Sequence, residues 1–372
     1  MPQPRFVELS GTPRAMGEYF GEQCRDDIRN LYQVRMAHLE RFLDIHDPGK
    51  HFSASSVLEL VRRAVPAHQQ FEPAIWEEFA GISRGSGLDP EELLVTNGLT
   101  DFRDLVLFEK PTTFPPARDH LGECTALLVP GDSGDGQTIL GQTWDMHADA
   151  GDYLAIVHRK PMAAPETLCL TTVGCLCLIG LNSEGVGVGN TNLVPTDARL
   201  GVNYLFSITR ALQCRSAQEA ADAVTAAPRL SGHNFLIVDG RSAINLECTA
   251  TREHRTRVQG KPFVHTNHYL AASLEGLEFR RDIANSHWRY QQMCRQVDPM
   301  EAPIDMNACW DQLAPVSQAC VPAECGFDER VATVATVVLA PASKGGRLHV
   351  GVGAADSGTR QELRLVRGGR GK

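Results

Sequence analysis

The chain of 372 residues has no apolar run of the roughly 20 residues that cross a bilayer as a helix, so no transmembrane helix is expected. It has no excess of positive charge: 36 Lys and Arg stand against 45 Asp and Glu, a net charge of −9. Partners that demand basic patches, nucleic acid and anionic membrane surfaces, are therefore not expected. Its 11 cysteines include no CxxC pair, which argues against a structural zinc site. Their odd number, and the apolar surroundings of Cys169, Cys175, Cys177 and Cys248, fit free and mostly buried thiols in a reducing cytoplasm. Cys175 and Cys177 alternate as in a strand and read as core. Residues 1–8 contain no h-region, so no secretory signal is expected and the cytoplasm is the expected location. No repeat and no low-complexity tract is visible. Gly185-Val186-Gly187-Val188-Gly189 lacks the GxGxxG spacing of a nucleotide loop and reads as a close-packed strand. What is present, 42% hydrophobic and 22% charged residues, is the composition of a soluble globular protein with a sizeable core.

The chain changes character near residue 120. Before it, helical spacing dominates. Residues 13–36 carry Met16, Tyr19, Phe20, Cys24, Ile28 and Leu31 at a helical period. A second helix is expected over 54–67. A third begins at Asp89-Pro90-Glu91-Glu92, a capping box with proline at the first helical position, and runs on through Leu99. Residues 109–120, with Pro111, Pro115 and Pro116, cannot be helical and read as an extended, exposed segment. After it, paired strand signals flank turn-forming clusters: 124–129 with 138–144, 168–181 with 186–192, and 235–238 with 243–248. Helices are expected over 202–214, after the capping box at Ser216-Ala217-Gln218-Glu219, and near 278–297 and 305–318. Strands return at 332–339, 348–352 and 363–366. Hairpins with helices inserted between them indicate an α+β architecture.

Cys124 opens an apolar strand directly after the proline-rich segment. A cysteine there can be buried filler or a nucleophile. A thiol with a pKa near 8.5 needs a base to attack as thiolate. The α-amino group of a chain terminus, with a pKa of about 7.7–8.0, is suited to that task. It exists only if the bond between Glu123 and Cys124 is cut, for instance by thiol attack on the Glu123 carbonyl and hydrolysis of the resulting thioester. If the first hairpin folds symmetrically about its turn, Cys124 lies opposite Thr143. Asp145 is then a diagonal neighbour about 7–8 Å away.

Several stretches carry a resemblance. Gly122-Glu123-Cys124-Thr125 resembles the self-processing site of the isopenicillin N acyltransferase family of N-terminal nucleophile (Ntn) hydrolases. Gly141-Gln142-Thr143-Trp144-Asp145 is similar to that family's Gly-Gln-Asn-Trp-Asp, with threonine for asparagine. Gly180-Leu181-Asn182-Ser183-Glu184-Gly185 resembles its Gly-Met-Asn-Ser-x-Gly hairpin, and His265-Thr266-Asn267-His268 its His-Thr-Asn-His motif. Residues 8–17 resemble the segment that opens these proteins. The resemblance implies an αββα sandwich, two stacked antiparallel sheets between helical layers. It also implies one domain over 1–372 that matures into chains 1–123 and 124–372, which stay associated.

Carried over, Cys124 is the nucleophile and new N-terminus. Asp145 holds the freed amino group and Asn267 donates to the oxyanion. Asn192 matches a second donor of the related bile-salt hydrolases, and Arg330 matches an arginine near the nucleophile. His265 and His268 read as supports of the Asn267 loop. Trp144, Thr143, Met146 and Tyr269 are expected at the pocket. The activity implied is hydrolysis of a small non-peptide amide through an acyl-enzyme, with acyl transfer from acyl-coenzyme A or an amide to an amine as the alternative. The expected partners are that small-molecule substrate and the companion processed chain; self-association as a homo-oligomer is compatible with the sequence. No cofactor and no metal is expected. A rival reading is a metal-dependent hydrolase, because Asp145, His147 and Asp149 alternate and would share one face of a strand, with His265 or His268 joining them. A catalytically silent binding protein is the other alternative.

Overall fold

Helices dominate the first third of the chain because the apolar spacing and caps written into it favour them. The computed structural model describes residues 2–372 except 48, 50–51, 110–123, 134–135, 280–282, 299–302, 318–330, 358 and 367–372. The proline-rich segment, Glu123 and Arg330 thus lie outside the described residues. After strand β1 (Arg5–Gly11) come α1 (Pro13–Gln23), α2 (Arg25–His46), α3 (Ala54–Phe71), α4 (Pro73–Ser86), α5 (Pro90–Asn97) and α6 (Leu99–Glu109). The helix expected over 13–36 is two helices, broken at Cys24, whose backbone leaves helical geometry at φ −120°, ψ 21°. The capping box of α5 forms as expected, with the Asp89 N–H donating to Glu92 Oε2 at 2.9 Å. Sequence reading gives no helix at α4. That helix is held by backbone contact: a Cβ on Gly17 of α1 would sit 1.9 Å from the Glu78 carbonyl oxygen, and one on Gly81 2.4 Å from that of Arg14.

The strands are β2 (Thr125–Val129), β3 (Ile139–His147), β4 (Leu154–Pro161), β5 (Thr167–Thr172), β6 (Ile179–Asn182) and β7 (Val186–Leu193). Then follow α7 (Tyr204–Ala211), α8 (Ala217–Ala226), β8 (Gly232–Asp239), β9 (Ala243–Cys248), β10 (Glu253–Val258), β11 (Phe263–His265), α9 (Ala284–Val297), α10 (Met306–Ser317), β12 (Val331–Ala342), β13 (Gly345–Val352) and β14 (Gln361–Val366). The strand expected over 168–181 is two, β5 and β6, parted by a turn in which Gly174 takes φ +73°. Cys175 and Cys177 are buried, but in that connection rather than in a strand.

One sheet has eight strands in the order β1-β4-β5-β6-β7-β8-β9-β10, the other six in the order β11-β2-β3-β12-β13-β14. Pairing between these strands is antiparallel, as expected, except between β1 and β4, which run parallel. A parallel pair needs a long crossover; here the connection runs through the N-terminal helices and the β2–β3 hairpin of the other sheet.

The sheets stack face to face. Gln142 of β3 reaches across to β7, where its Nε2 donates to Asn190 O and its Oε1 accepts the Asn190 N–H, each at 2.9 Å. Gly189 leaves the room: a Cβ there would lie 2.2 Å from Gln142 Oε1. The glycine-rich stretch is therefore the close-packed strand expected from its sequence. On the outside of the six-stranded sheet, Leu127, Val129 and Ile139 pack with Met293 of α9 and Leu313 of α10. On the outside of the eight-stranded sheet, Phe235 and Ile237 join Phe206, Ala220 and Val224 of α7 and α8. The layers are helix, sheet, sheet, helix.

Candidate active site

Cys124 sits at the mouth of β2, buried, in the same apolar cluster as Ala126, Leu128, Leu140, Trp144 and Met146. The β2–β3 register pairs Thr125, not Cys124, with Thr143. An odd number of residues separates the last paired residues Val129 and Ile139, so the hairpin's centre falls on a residue instead of between two. The one-residue slip exchanges faces: Cys124 shares its face with Trp144 and Met146, and Asp145 shares its face with Thr143 and Thr125.

Asp145 is nevertheless tied to the start of the strand. Its Oδ2 accepts from Thr143 Oγ1 at 3.1 Å, and Thr143 Oγ1 accepts the Thr125 N–H at 3.0 Å. That N–H belongs to the peptide that Cys124 begins. Opposite this point, the pairing of β12 with β3 skips a residue between Thr333 and Ala335. A bulge of this kind re-aims the side chains beside it.

Arg289 of α9 binds the other side of the cysteine. Fully buried, it donates from Nη1 to Cys124 O at 2.6 Å and to Thr125 Oγ1 at 2.9 Å. Its Nη2 donates to Asn267 Oδ1 at 3.0 Å and its Nε to Asn285 Oδ1 at 2.7 Å. Sequence reasoning missed this residue. A signal existed: Arg289 lies on the buried stripe Ser286, Arg289, Met293, Val297, a cation on the inward face of an amphipathic helix. With Asn267 Oδ1 fixed on Arg289, its Nδ2 points the other way and donates to Asn192 O at 3.0 Å.

Asn192 is buried, and both polar atoms of its side chain lack a partner among the described residues. Leaving such a group unsatisfied costs about 1–3 kcal/mol, a cost that a ligand oxygen or water at the site would relieve. Its cross-strand neighbour His233 bonds Asp101 Oδ1 at 2.5 Å and stacks on Tyr204, centroids 4.1 Å apart.

The Asn267 loop is braced as the sequence suggests. Its N–H donates to Ser286 Oγ at 2.8 Å, His268 Nδ1 bonds the same oxygen at 2.9 Å, and His265 bonds Thr191 Oγ1 at 3.0 Å. Of the expected pocket residues, Trp144 and Met146 share the cysteine's cluster, whereas Thr143 is engaged by Thr125 and Asp145. Tyr269 packs apart with Leu193, Ala271 and Leu274, its hydroxyl donating to Cys248 O at 3.0 Å. Burial pushes that phenol well above its ordinary pKa.

The metal rival breaks up. Asp149 leaves the strand for a 3-10 turn, and Asp145 and the histidines of the Asn267 loop are engaged elsewhere. His147 and Asp149 do come near His38, with ligand atoms within 4.8 Å of one another. The His38 and His147 rings stack, centroids 3.6 Å apart with an interplanar angle of 13°. His38 Nε2 bonds Asp149 Oδ2 at 2.8 Å; burial opposes ionisation of that carboxyl, but this bond and the nearby His147 and Arg35 hold it below its usual range.

Two stacked sheets lie between helical layers, with Cys124 at the head of β2, next to the edge strand β11. Residues 132–354 match the family model described as acyl-coenzyme A:6-aminopenicillanic acid acyl-transferase. The chain belongs to that family. It is 24% identical over 273 residues to the 40 kDa form of acyl-coenzyme A:6-aminopenicillanic-acid-acyltransferase of Emericella nidulans, covering 71% of this chain and 69% of that protein. Among solved structures, a variant of the conjugated bile acid hydrolase from Clostridium perfringens aligns with a TM-score of 0.49 at 13% identity, over 65% of this chain and 92% of that one. Penicillin V acylase from Agrobacterium tumefaciens aligns with a TM-score of 0.45 at 12% identity, over 65% and 86%. Among the described residues no helix is long and apolar enough to cross a membrane.

Proposed function

We propose that the chain is a self-processing cysteine amidase acting on small N-acyl amines or N-acyl amino acids. Cys124 Sγ first attacks the Glu123 carbonyl. The peptide nitrogen leaves as the Cys124 amine, and water hydrolyses the thioester, giving chains 1–123 and 124–372. The freed amino group, held by Asp145 through the Thr143 side of the hairpin, then takes the thiol proton. The thiolate adds to the substrate carbonyl, and the side-chain amides of Asn192 and Asn267 receive the oxyanion. The amine leaves with the proton, and water releases the acyl group from the thioester. Arg289 places a positive charge beside the nucleophile, which favours the thiolate; Arg330 is proposed as a second cation with the same effect.

The observation that carries this reading is the bridge made by Arg289. One guanidinium holds both Cys124 O and Asn267 Oδ1, so nucleophile and oxyanion donor share a single rigid support. Such preorganisation is what amide attack requires. A second reading, transfer of the acyl group to an amine, is favoured by the relative whose name describes an acyltransferase. The two differ in whether water or an amine reaches the thioester.

A panel of small N-acyl amines and N-acyl amino acids, read by amine release and by intact mass, tests the proposal. The expected outcome is an acyl adduct on the chain that begins at Cys124, absent in Cys124→Ala. Asn267→Ala should lower kcat by about 10²–10³ with little change in KM, the loss of one oxyanion donor. Turnover that survives in Cys124→Ala would refute the assignment.

A further inference from the structure

Among the described residues the buried arginines are Arg35, Arg103, Arg159, Arg229 and Arg289. Arg103 pairs with Asp104, Arg159 with Glu78 and Arg229 with Glu253, and Arg289 holds its four oxygens. Arg35 differs. It is 5% exposed, and its one hydrogen bond among the described residues runs from Nη2 to Thr172 Oγ1 at 3.5 Å, beyond the usual length. Its Nε and Nη1 make no bond among the described residues and are not sealed from solvent. A guanidinium keeps its proton, and a buried charge is costly unless it is paired.

Arg35 stands on the inward stripe of α2 with Ile28, Leu31, Tyr32, Met36 and Leu39. Those neighbours pack in the same cluster as Cys124, Trp144, Met146 and Tyr204. Tyr204, the first residue of α7, stands between Arg35 and the candidate site. Its ring stacks on His233, the cross-strand partner of Asn192. Burial pushes its phenol up, Arg35 opposes that shift, and Asp101, Cys175 and Cys124 add to it, so Arg35 and Cys124 both act on this hydroxyl. The hydroxyl has no partner among the described residues and is not sealed from solvent either. The carboxylates nearby are engaged elsewhere: Asp149 with His38, and Asp101 with His233 and the Tyr204 N–H. Arg35 and Tyr204 thus leave open a planar fork of N–H donors and a hydroxyl, groups that fit a carboxylate.

We propose that, given the amidase reading, Arg35 binds a carboxylate of the substrate, with the Tyr204 hydroxyl beside it, and makes the Cys124 site selective for amides that carry this negative charge. Arg35 is then a specificity residue and takes no part in the bond-making. A neutral substrate would cover the guanidinium and leave it unpaired, whereas a carboxylate offsets the cost of the buried charge. The carboxylate stands either on the amine half, as in an N-acyl amino acid, or on the acyl half, as in the half-amide of a dicarboxylic acid.

The test measures kcat/KM of the full chain on matched pairs, each an amide ending in a carboxylate beside the same amide ending in a carboxamide. One set carries the variable group on the amine half and the other on the acyl half, which tells the two sources apart. In at least one set the wild type should prefer the carboxylate by at least about ten-fold, and Arg35→Gln should bring that ratio to within about two-fold of one. Arg35→Lys should keep part of the preference, since it supplies the charge without the fork. Both members of a pair meet the same protein, so a partly unfolded variant lowers both values and leaves their ratio unmoved. Turnover with a ratio near one in both wild-type sets, or a ratio that survives in Arg35→Gln, would overturn the carboxylate site and leave the amidase reading standing. Calorimetric binding of matched inert analogues, with CH2 in place of the amide N–H, distinguishes the other failure. An Arg35-dependent preference for the carboxylate analogue without turnover of any amide would sink the amidase reading and uphold the anion site; neither preference nor turnover would sink both.

Discussion

Arg289 directs its guanidinium to neutral oxygens, on Cys124, Thr125, Asn267 and Asn285. Its removal would leave buried acceptors unsatisfied, at about 1–3 kcal/mol each. Arg289→Ala should therefore lower both stability and turnover. Arg289→Lys separates the two effects, because an ammonium supplies charge but cannot make the forked bridge. It should keep most of the melting temperature yet lower kcat by at least about ten-fold, some 1.4 kcal/mol of barrier. An unchanged kcat in that variant would remove Arg289 from the machinery.

His68 gives a second residue-scale prediction. Burial lowers its pKa to about 4, and its Nε2 accepts the Asn203 N–H at 3.0 Å, which a proton there would prevent. The unfolded chain binds a proton near pH 6.5 that the native chain does not. Stability contributed by this group is thus present above that pH and is lost as pH falls toward 4, by up to about 3 kcal/mol. Thermal melts between pH 7 and pH 4 should show this slope, and His68→Asn should flatten it. Part of the candidate site is legible in sequence, because Cys124, Asp145 and Asn267 stand in stretches with a recognisable order. Arg289 is not, because nothing in a single helix tells which buried-face cation has a partner across the core.

At the scale of elements, a slip of one residue in a single hairpin decides which side of the sheet each group occupies. The turn cluster at 131–136 locates the hairpin in sequence, but whether its loop is even or odd is set by the pairing itself. Asp145 consequently bonds Thr143, and Cys124 shares its face with Trp144. Helix α4 escapes the sequence because Gly81 and Gly85, poor helix formers, are there for contact with Gly17 and Gly21 of α1. Strands β1 and β4 escape because their pairing is non-local, across the entire helical region. Gly17→Ala should force α1 and α4 apart and cost about 1–3 kcal/mol. Gly240→Ala, where an added Cβ meets nothing within 4 Å, should change stability by less than about 0.5 kcal/mol. Denaturant midpoints of the two variants check the contrast; equal midpoints would mean that the helix contact is not backbone-tight.

Over the whole molecule, the principal core draws on both sides of the proposed cut. Phe20, Leu31, Phe79 and Phe102 pack with Ala126, Leu170, Phe235 and Leu246 in one cluster. A buried ion pair, Glu78 with Arg159, and a buried hydrogen bond, Asp101 with His233, also span the cut. Separating chains 1–123 and 124–372 would expose this apolar surface and leave those polar groups unpaired. Cut protein should accordingly elute as one species under native conditions and divide only on denaturation. The α+β class was legible from the hairpins with helices inserted between them, the family from the order of its motifs, and the layer order only from that family resemblance. Cys124 began as one cysteine among 11; its weight in the account rests on the bond before it being broken by its own thiol. Denaturing intact-mass analysis of wild type beside Cys124→Ala measures this directly. The account requires two wild-type masses, the larger matching a chain that starts at Cys124, and a single uncut mass for the variant. A wild type that stays whole and fully active, or a variant that is cut at the same bond, would contradict it.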